Sequence, residues 1–386
     1  MPSSLESPTA GKRFAELSIA TVAGLGMTAA ALFLCAVPLA GHMAGSRDFV
    51  SYWATGQQLV HHANPYDRAV VAQTEHAAGL NAGAVLMMRN PPWALPLAWP
   101  LGFVGLRIAA LLWSLMLAGC LVVSVQIVRR LHGSPANPIH WLGLGFTPAL
   151  ICLTMGQTAL LALLGLALFL RFHQDRPFAA GVALWLCALK PHLFLPFGAA
   201  LIAWIVFSRA WKLLAGAAAA LAASSALALA VAPHAWTDYA QMMRSPLVES
   251  EFIPCLAAAL RHWVWPQRTW TQYVPAAAAC VWAMMYFWRR RARWNWVTNG
   301  SPLMMVSILL APYAWLYDQC LVLPALLDAA FATRRRGLLI VLSLMILVAD
   351  VEVCRVPVIS PLWLWTAPAW VGWYLVAVTR TRSSTT

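Results

Sequence analysis

Apolar stretches rich in Ala and Leu recur from near Ile19 to near Val378, and short knots of arginine or lysine separate them. That alternation constrains the fold more than any other feature. A bilayer core roughly 30 Å thick takes about 20 apolar residues of helix, and only a backbone that satisfies its own hydrogen bonds survives there. The stretches lack the period-2 pattern of barrel strands and therefore predict helices. With 61% hydrophobic and 10% charged residues, the chain also has too little polar surface to coat a soluble globule. The expected fold class is all-α: a polytopic transmembrane helical bundle forming one integral membrane unit over residues 1–386.

The basic knots predict the topology. They are Lys12/Arg13, Arg129/Arg130, Arg171/Arg176, Arg209/Lys212, Arg289 to Arg293, Arg334 to Arg336 and Arg380/Arg382. Lysine and arginine are retained on the cytoplasmic side, and each interval between knots has room for one excursion out and back. About 12 spans with both termini cytoplasmic follow from that rule. They are expected near 17–41, 103–128, 141–156, 158–171, 178–190, 193–208, 213–232, 272–288, 297–312, 318–333, 337–354 and 362–379. The first run exceeds a signal-peptide core and reads as a retained helix.

The net charge of +13 resides in these knots and not on one continuous face, so no nucleic-acid partner is expected. The eight cysteines form no CxxC and stand at no zinc-ligand spacing with histidine. Neither a Walker A loop nor a GxGxxG turn is present. No metal, cofactor or cytoplasmic nucleotide site is expected.

The segments between excursions hold the remaining polar residues. In "SRDFVSYWATGQQLVHHANPYD", Phe49, Tyr52, Trp53, Gly56, Leu59 and Val60 recur at helical spacing, which predicts an amphipathic helix lying on the outer membrane surface. Asp48 stands before it, as a helix cap or as a carboxylate with chemistry to do. Asp67 can cap the next segment. His61 and His62 are adjacent, point to different faces and make no two-ligand metal pair. Arg89, in "MMRNPPW", is an interfacial anchor or an anion ligand. Lys190 is the only one of three lysines outside a basic knot, and with His192 it is either a snorkelling residue or a phosphate site. Gln157 is a partner within the bundle or a donor to a ligand. Tyr313 and Tyr317 suit an aromatic belt, whereas Asp318 beside them does not. A carboxylate and cations at one membrane face suit a reaction on a membrane-bound substrate. The competing class is a transporter or lipid flippase, but no repeat relates the halves and the charges do not collect at mid-membrane.

"DFVSYWATGQQLVHHANPYD" resembles the D-F-x-x-Y-x-A-x-x-L-x-x-G-x-x-x-Y-D segment of glycosyltransferase family 87, polytopic enzymes of the GT-C class. The likeness continues in family order through "NPPWALPLAWPL", "GQTALLALL", "RPFAAGVALWLCALKPHLFLPFGAAL" and "PYAWLYDQCLVLP", over roughly 48 to 326. The family's glycine before "NPYD" is here replaced by His61, His62 and Ala63. The resemblance implies a hexosyltransferase of the bacterial cytoplasmic membrane with its site on the outer face. Such an enzyme moves mannose, in most relatives, from a polyprenyl-phosphate donor to an acceptor hydroxyl on a glycan, glycolipid or other molecule. It implies that Asp48 is the general base, that Lys190, His192 and Arg89 face the donor phosphate, and that Tyr52, Gln157, Tyr317 and Asp318 complete the substrate site.

Overall fold

The computed structural model describes residues 46–78, 85–244, 252–333 and 335–382. It is helical throughout, with no strand among the described residues. A helix stands at each expected place from residue 103 onward, and the expected span at 17–41 lies outside the described residues. The order runs α1 (Ser46–Val60), α2 (Arg68–Ala77), α3 (Leu106–Leu131), α4 (Thr147–Met155), α5 (Ala159–Phe172), α6 (Pro177–Cys187), α7 (Leu195–Ser208) and α8 (Trp211–Val231). It continues through α9 (Ala235–Met243), α10 (Leu256–Val264), α11 (Val274–Arg290), α12 (Trp296–Leu309), α13 (Leu323–Ala332), α14 (Arg336–Val353) and α15 (Thr366–Arg382).

Fewer of these are full-length spans than the arginine pattern predicts. Three helical stretches among the described residues, Leu106–Leu131, Pro191–Ser208 and Trp211–Val231, are long and apolar enough to cross a membrane. A fourth is obtained if Pro138–Gly145 and Thr147–Met155, bent by 45°, count as one broken span. Proline explains much of the shortening. Pro148, Pro177, Pro196, Pro275 and Pro324 each occupy the first turn of a helix. There the missing N–H costs nothing, while the residue before proline is steered out of helical geometry.

The outward face of the bundle is apolar. On α3, Ile108, Leu111, Leu112 and Leu115 are all more than half exposed, at the spacing of one helix face. In water such a stripe would be a liability; in a bilayer it is the solvent-matched surface. Inside, Trp296 is 1% exposed and packs its indole against Phe169 of α5, Phe197 and Trp204 of α7, with ring centroids 5.2, 5.0 and 5.7 Å away. These edge-on and tilted contacts lock three helices together.

α1 departs from the expected surface helix. Phe49, Tyr52, Gly56 and Leu59 are buried as predicted and Trp53 and Val60 half-buried, but Val50, Ser51, Thr55 and Gln58 on the other side are buried too. The helix is embedded, held by Gln58 Nε2 donating to Thr74 Oγ1 (2.7 Å) and Gln57 Nε2 donating to the Gly102 carbonyl (2.7 Å). Two glycines permit this. Gly56 meets the 3-10 turn Trp99–Phe103 backbone to backbone, so a Cβ at Gly56 would run into the Ala98 carbonyl and a Cβ at Gly102 into the Gly56 carbonyl. α2 carries the expected cap: Asp67 Oδ1 accepts from the N–H groups of Ala69 (2.8 Å) and Val70 (3.3 Å).

The basic knots and the polar inter-helix residues occupy opposite helix ends. Gln157 precedes α5 and Arg171 lies in its last turn; Lys190 precedes Pro191–Ser208 and Arg209 caps its end. At 1.5 Å per residue these separations are roughly 21 to 28 Å.

The Gly56 crossing has a measurable consequence. Gly56→Ala should lower stability by about 1–3 kcal/mol, because the added methyl meets backbone that cannot swing aside. Thermal unfolding in detergent, compared with Gly119→Ala, whose Cβ meets nothing within 4 Å, reads the difference.

Candidate active site

Three interruptions of the helical structure and the first turn of α1 converge at one end of the bundle, and each delivers one polar side chain. Asp48 comes from the first turn of α1, Gln157 from the turn after α4, Lys190 from the turn before the 3-10 segment Pro191–Phe194, and Asp318 from the 3-10 segment Leu316–Val322. Lys190 Nζ donates to Asp318 Oδ1 (2.7 Å) and to Gln157 Oε1 (3.0 Å). Gln157 Nε2 donates in turn to Asp48 Oδ2 (3.0 Å), and the Tyr52 hydroxyl donates to Gln157 Oε1 (3.1 Å). The result is a continuous relay from one carboxylate through an amide and an ammonium to another.

Gly156 makes the turn that presents Gln157. It ends α4 in the left-handed conformation (φ 71°), its N–H and that of Gln157 closing back on the Leu153 and Cys152 carbonyls. Its carbonyl accepts from Trp113 Nε1 (2.7 Å), and a Cβ would lie 2.6 Å from that of Phe49. α1 therefore approaches the turn closely enough for the neighbouring Asp48 to reach Gln157. The turn carrying Lys190 is fastened by Asn90, whose Nδ2 donates to the Leu189 carbonyl (2.9 Å). Asp318 Oδ2 accepts from the Trp315 N–H (2.9 Å), which fixes the carboxylate from its other side.

The relay is buried: Lys190 is 8% exposed, Gln157 9% and Asp318 1%. A charge at such depth is costly unless paired and hydrogen-bonded. Lys190 meets both conditions, and its ammonium also lies 4.7 Å from the centroid of the Tyr317 ring. Burial first, then the negative charge of Asp48, holds the Tyr52 hydroxyl above its ordinary pKa. Tyr317 is raised by burial, then by Asp48 and Asp318. Both phenols stay protonated at neutral pH and can donate.

Beside the relay, the His192 ring stacks on Tyr313 with centroids 3.7 Å apart. His192 Nε2 is buried without a hydrogen-bond partner among the described residues. Arg89 is exposed at the rim; its backbone carbonyl accepts from the Tyr239 hydroxyl (3.4 Å), and its charge lowers the proton affinity of Tyr313, which burial otherwise raises. Asp48, Tyr52, Gln157, Lys190, Tyr317 and Asp318 thus form one cluster, His192 flanks it and Arg89 stands outside. His61 and His62 are exposed. Asn90 was not singled out as a site residue by sequence; an amide directly before two prolines was the available signal.

The family model for glycosyltransferase family 87 matches residues 89–312. The chain belongs to glycosyltransferase family 87. Membership makes it a glycosyltransferase, with a sugar donor, an acceptor and a lipid setting, and it decides against the transport reading. No curated protein and no solved structure matches the chain. The matched stretch contains Arg89, Asn90, Gln157, Lys190 and His192; Asp48 and Asp318 lie outside it and join the family residues through their hydrogen bonds to Gln157 and Lys190.

Breaking the buried pair from one side should be expensive. Lys190→Met or Asp318→Asn should each cost about 3–5 kcal/mol, whereas Lys190→Met with Asp318→Leu should cost far less than the two together, since no charge is left unpaired. Thermal unfolding of the four proteins in one detergent gives the comparison.

Proposed function

We propose that this glycosyltransferase moves a hexosyl residue, mannosyl by preference, from a polyprenyl-phosphate sugar to an acceptor hydroxyl, on the outer face of the bacterial cytoplasmic membrane. The observation that carries the reading is the position of Asp48. Its carboxylate is half-buried at the end of an apolar bundle and accepts from the Gln157 amide, which links it to the Lys190–Asp318 pair. A carboxylate placed beside the buried Lys190 and the two phenols is within reach of a substrate hydroxyl bound there.

In the reaction, Asp48 takes the proton of the acceptor hydroxyl as that oxygen bonds to the anomeric carbon. The bond from that carbon to the phosphate oxygen breaks, and polyprenyl phosphate leaves from the opposite face, so the configuration inverts. Lys190 carries three N–H groups, and Gln157 and Asp318 take two of them. The third is available to the departing phosphate. His192 Nε2, buried and without a partner among the described residues, supplies a further polar contact at the same depth. Arg89 meets the donor at the rim. Fixed donors in a site that excludes water stabilise developing charge strongly. The arginine knots, at the far ends of the same helices, support an outer-face site through the positive-inside rule.

The test is sugar transfer by purified protein given radiolabelled polyprenyl-phosphate mannose and membrane lipid extract. Product should form from that donor and not from a nucleotide sugar. Asp48→Asn should reduce kcat by about 10²- to 10⁴-fold while the melting temperature holds. Normal turnover by folded Asp48→Asn, or transfer from the nucleotide sugar alone, overturns the reading.

A further inference from the structure

Pro191 disturbs the backbone just where Lys190 is presented. α6 ends at Cys187, and in a 3-10 continuation the Ala188 carbonyl would accept from the N–H three residues on, which proline lacks. The Leu193 N–H, four residues beyond Leu189, turns instead to the Lys190 carbonyl (3.1 Å). Both bypassed carbonyls find donors in one distant segment. Trp93 Nε1 donates to the Ala188 carbonyl (2.9 Å) and Asn90 Nδ2 to the Leu189 carbonyl (2.9 Å). A buried carbonyl left unpaired is costly, so these two side chains complete the turn that carries Lys190.

Asn90 reaches further than this one turn. Its amide nitrogen has two hydrogens, and it also donates to Thr158 Oγ1 (3.4 Å), the residue next to Gln157. A backbone carbonyl has no proton to give, so the nitrogen must face Leu189 and the amide can sit only one way round. One buried side chain thus ties the turn of Gln157 to the turn of Lys190, 33 residues apart in the chain. The segment that carries it is itself held from behind. Pro91 keeps Asn90 out of helical geometry, the Asn90 carbonyl accepts from the Tyr66 hydroxyl (3.4 Å), and the Trp93 carbonyl accepts from Ser224 Oγ.

We propose that Asn90 is a positioning residue that holds the Gln157 and Lys190 turns in register, with Trp93 as a second point of attachment, and so aims the Lys190 ammonium at the donor's departing phosphate. The proposal rests on Lys190 meeting that phosphate; Asn90 acts through Lys190. Charge on the phosphate grows during the reaction, from one negative charge in the sugar ester to nearly two in released polyprenyl phosphate at neutral pH. A well-aimed ammonium therefore favours the product, and the transition state leading to it, over the bound donor. Relaxing the turn should weaken binding of polyprenyl phosphate more than binding of the donor. A residue that served packing alone would change the yield of folded protein and leave both dissociation constants as they were.

Equilibrium binding of radiolabelled polyprenyl phosphate and of polyprenyl-phosphate mannose to monodisperse protein in detergent reads the difference, with kcat taken from the same preparations. In Asn90→Ala, Kd for polyprenyl phosphate should rise by about 10-fold, the scale of one weakened hydrogen bond to a charged group, while Kd for the donor changes by less than about 3-fold. kcat should fall by about the same 10-fold factor. Trp93→Phe, which loses the indole N–H and keeps an aromatic ring, should raise Kd for polyprenyl phosphate by about 3-fold. Asn295→Ala removes an amide that caps α12 through the Val297 N–H, beside the Arg289 to Arg293 knot, and should leave both constants unchanged. Unchanged product affinity in folded Asn90→Ala, equal weakening of donor and product, or the same shift in Asn295→Ala overturns the proposal. Should Asn90→Ala fail to fold, an unchanged product Kd in Trp93→Phe overturns it. Lys190→Met keeps the two readings apart: it should lose at least as much product affinity as Asn90→Ala, and if it binds polyprenyl phosphate like the parent protein, the phosphate role of Lys190 is itself wrong.

Discussion

A lysine ammonium and an aspartate carboxylate 2.7 Å apart, almost wholly removed from solvent, stand at the meeting point of the chain's broken helices. Burying two charges costs several kcal/mol per ion, and their attraction repays it only when the remaining donors and acceptors also find partners. The surroundings supply those partners: the Trp315 N–H for Asp318, the Gln157 carbonyl and the Tyr317 ring for Lys190. Inside an uninterrupted helix the Trp315 N–H would be bonded to a backbone carbonyl and could not donate to Asp318. The breaks before Lys190, after α4 and at Leu316–Val322 are where the chain brings these groups together.

Local signals in the sequence predicted local structure well. Apolar runs marked the helices from residue 103 onward, and Asp67 read correctly as a cap because the groups it binds are two and three residues away. Lys190 was conspicuous as a lone lysine among apolar neighbours. Asp48 was open between cap and catalyst for the opposite reason. The side chain it meets, Gln157, is 109 residues distant, and no periodicity carries that information. The same holds for Asp318, which finds Lys190 across 128 residues.

The surface helix failed for a related reason. Amphipathic spacing predicts one buried face, yet α1 is enclosed nearly all round because Gly56 and Gly102 let two backbones touch. Only the second strand of chain, the Trp99–Phe103 turn, reveals what the glycine in α1 is for. The run expected at 141–156 is too short for a straight crossing, and it contains the bend between Pro138–Gly145 and Thr147–Met155. Hydrophobicity reports what a residue is dissolved in, and it is silent on where the axis turns.

α5 joins Gln157 at one end to Arg171 at the other, and nearly everything between them is buried and apolar. Its side chains could be exchanged for others of similar volume with modest effect. Its length could not. One residue added within it would rotate Gln157 by about 100° about the helix axis and carry it out of line with Lys190. The helix is in this sense a ruler and a protractor at once, so variation should be tolerated in its alphabet and refused in its count.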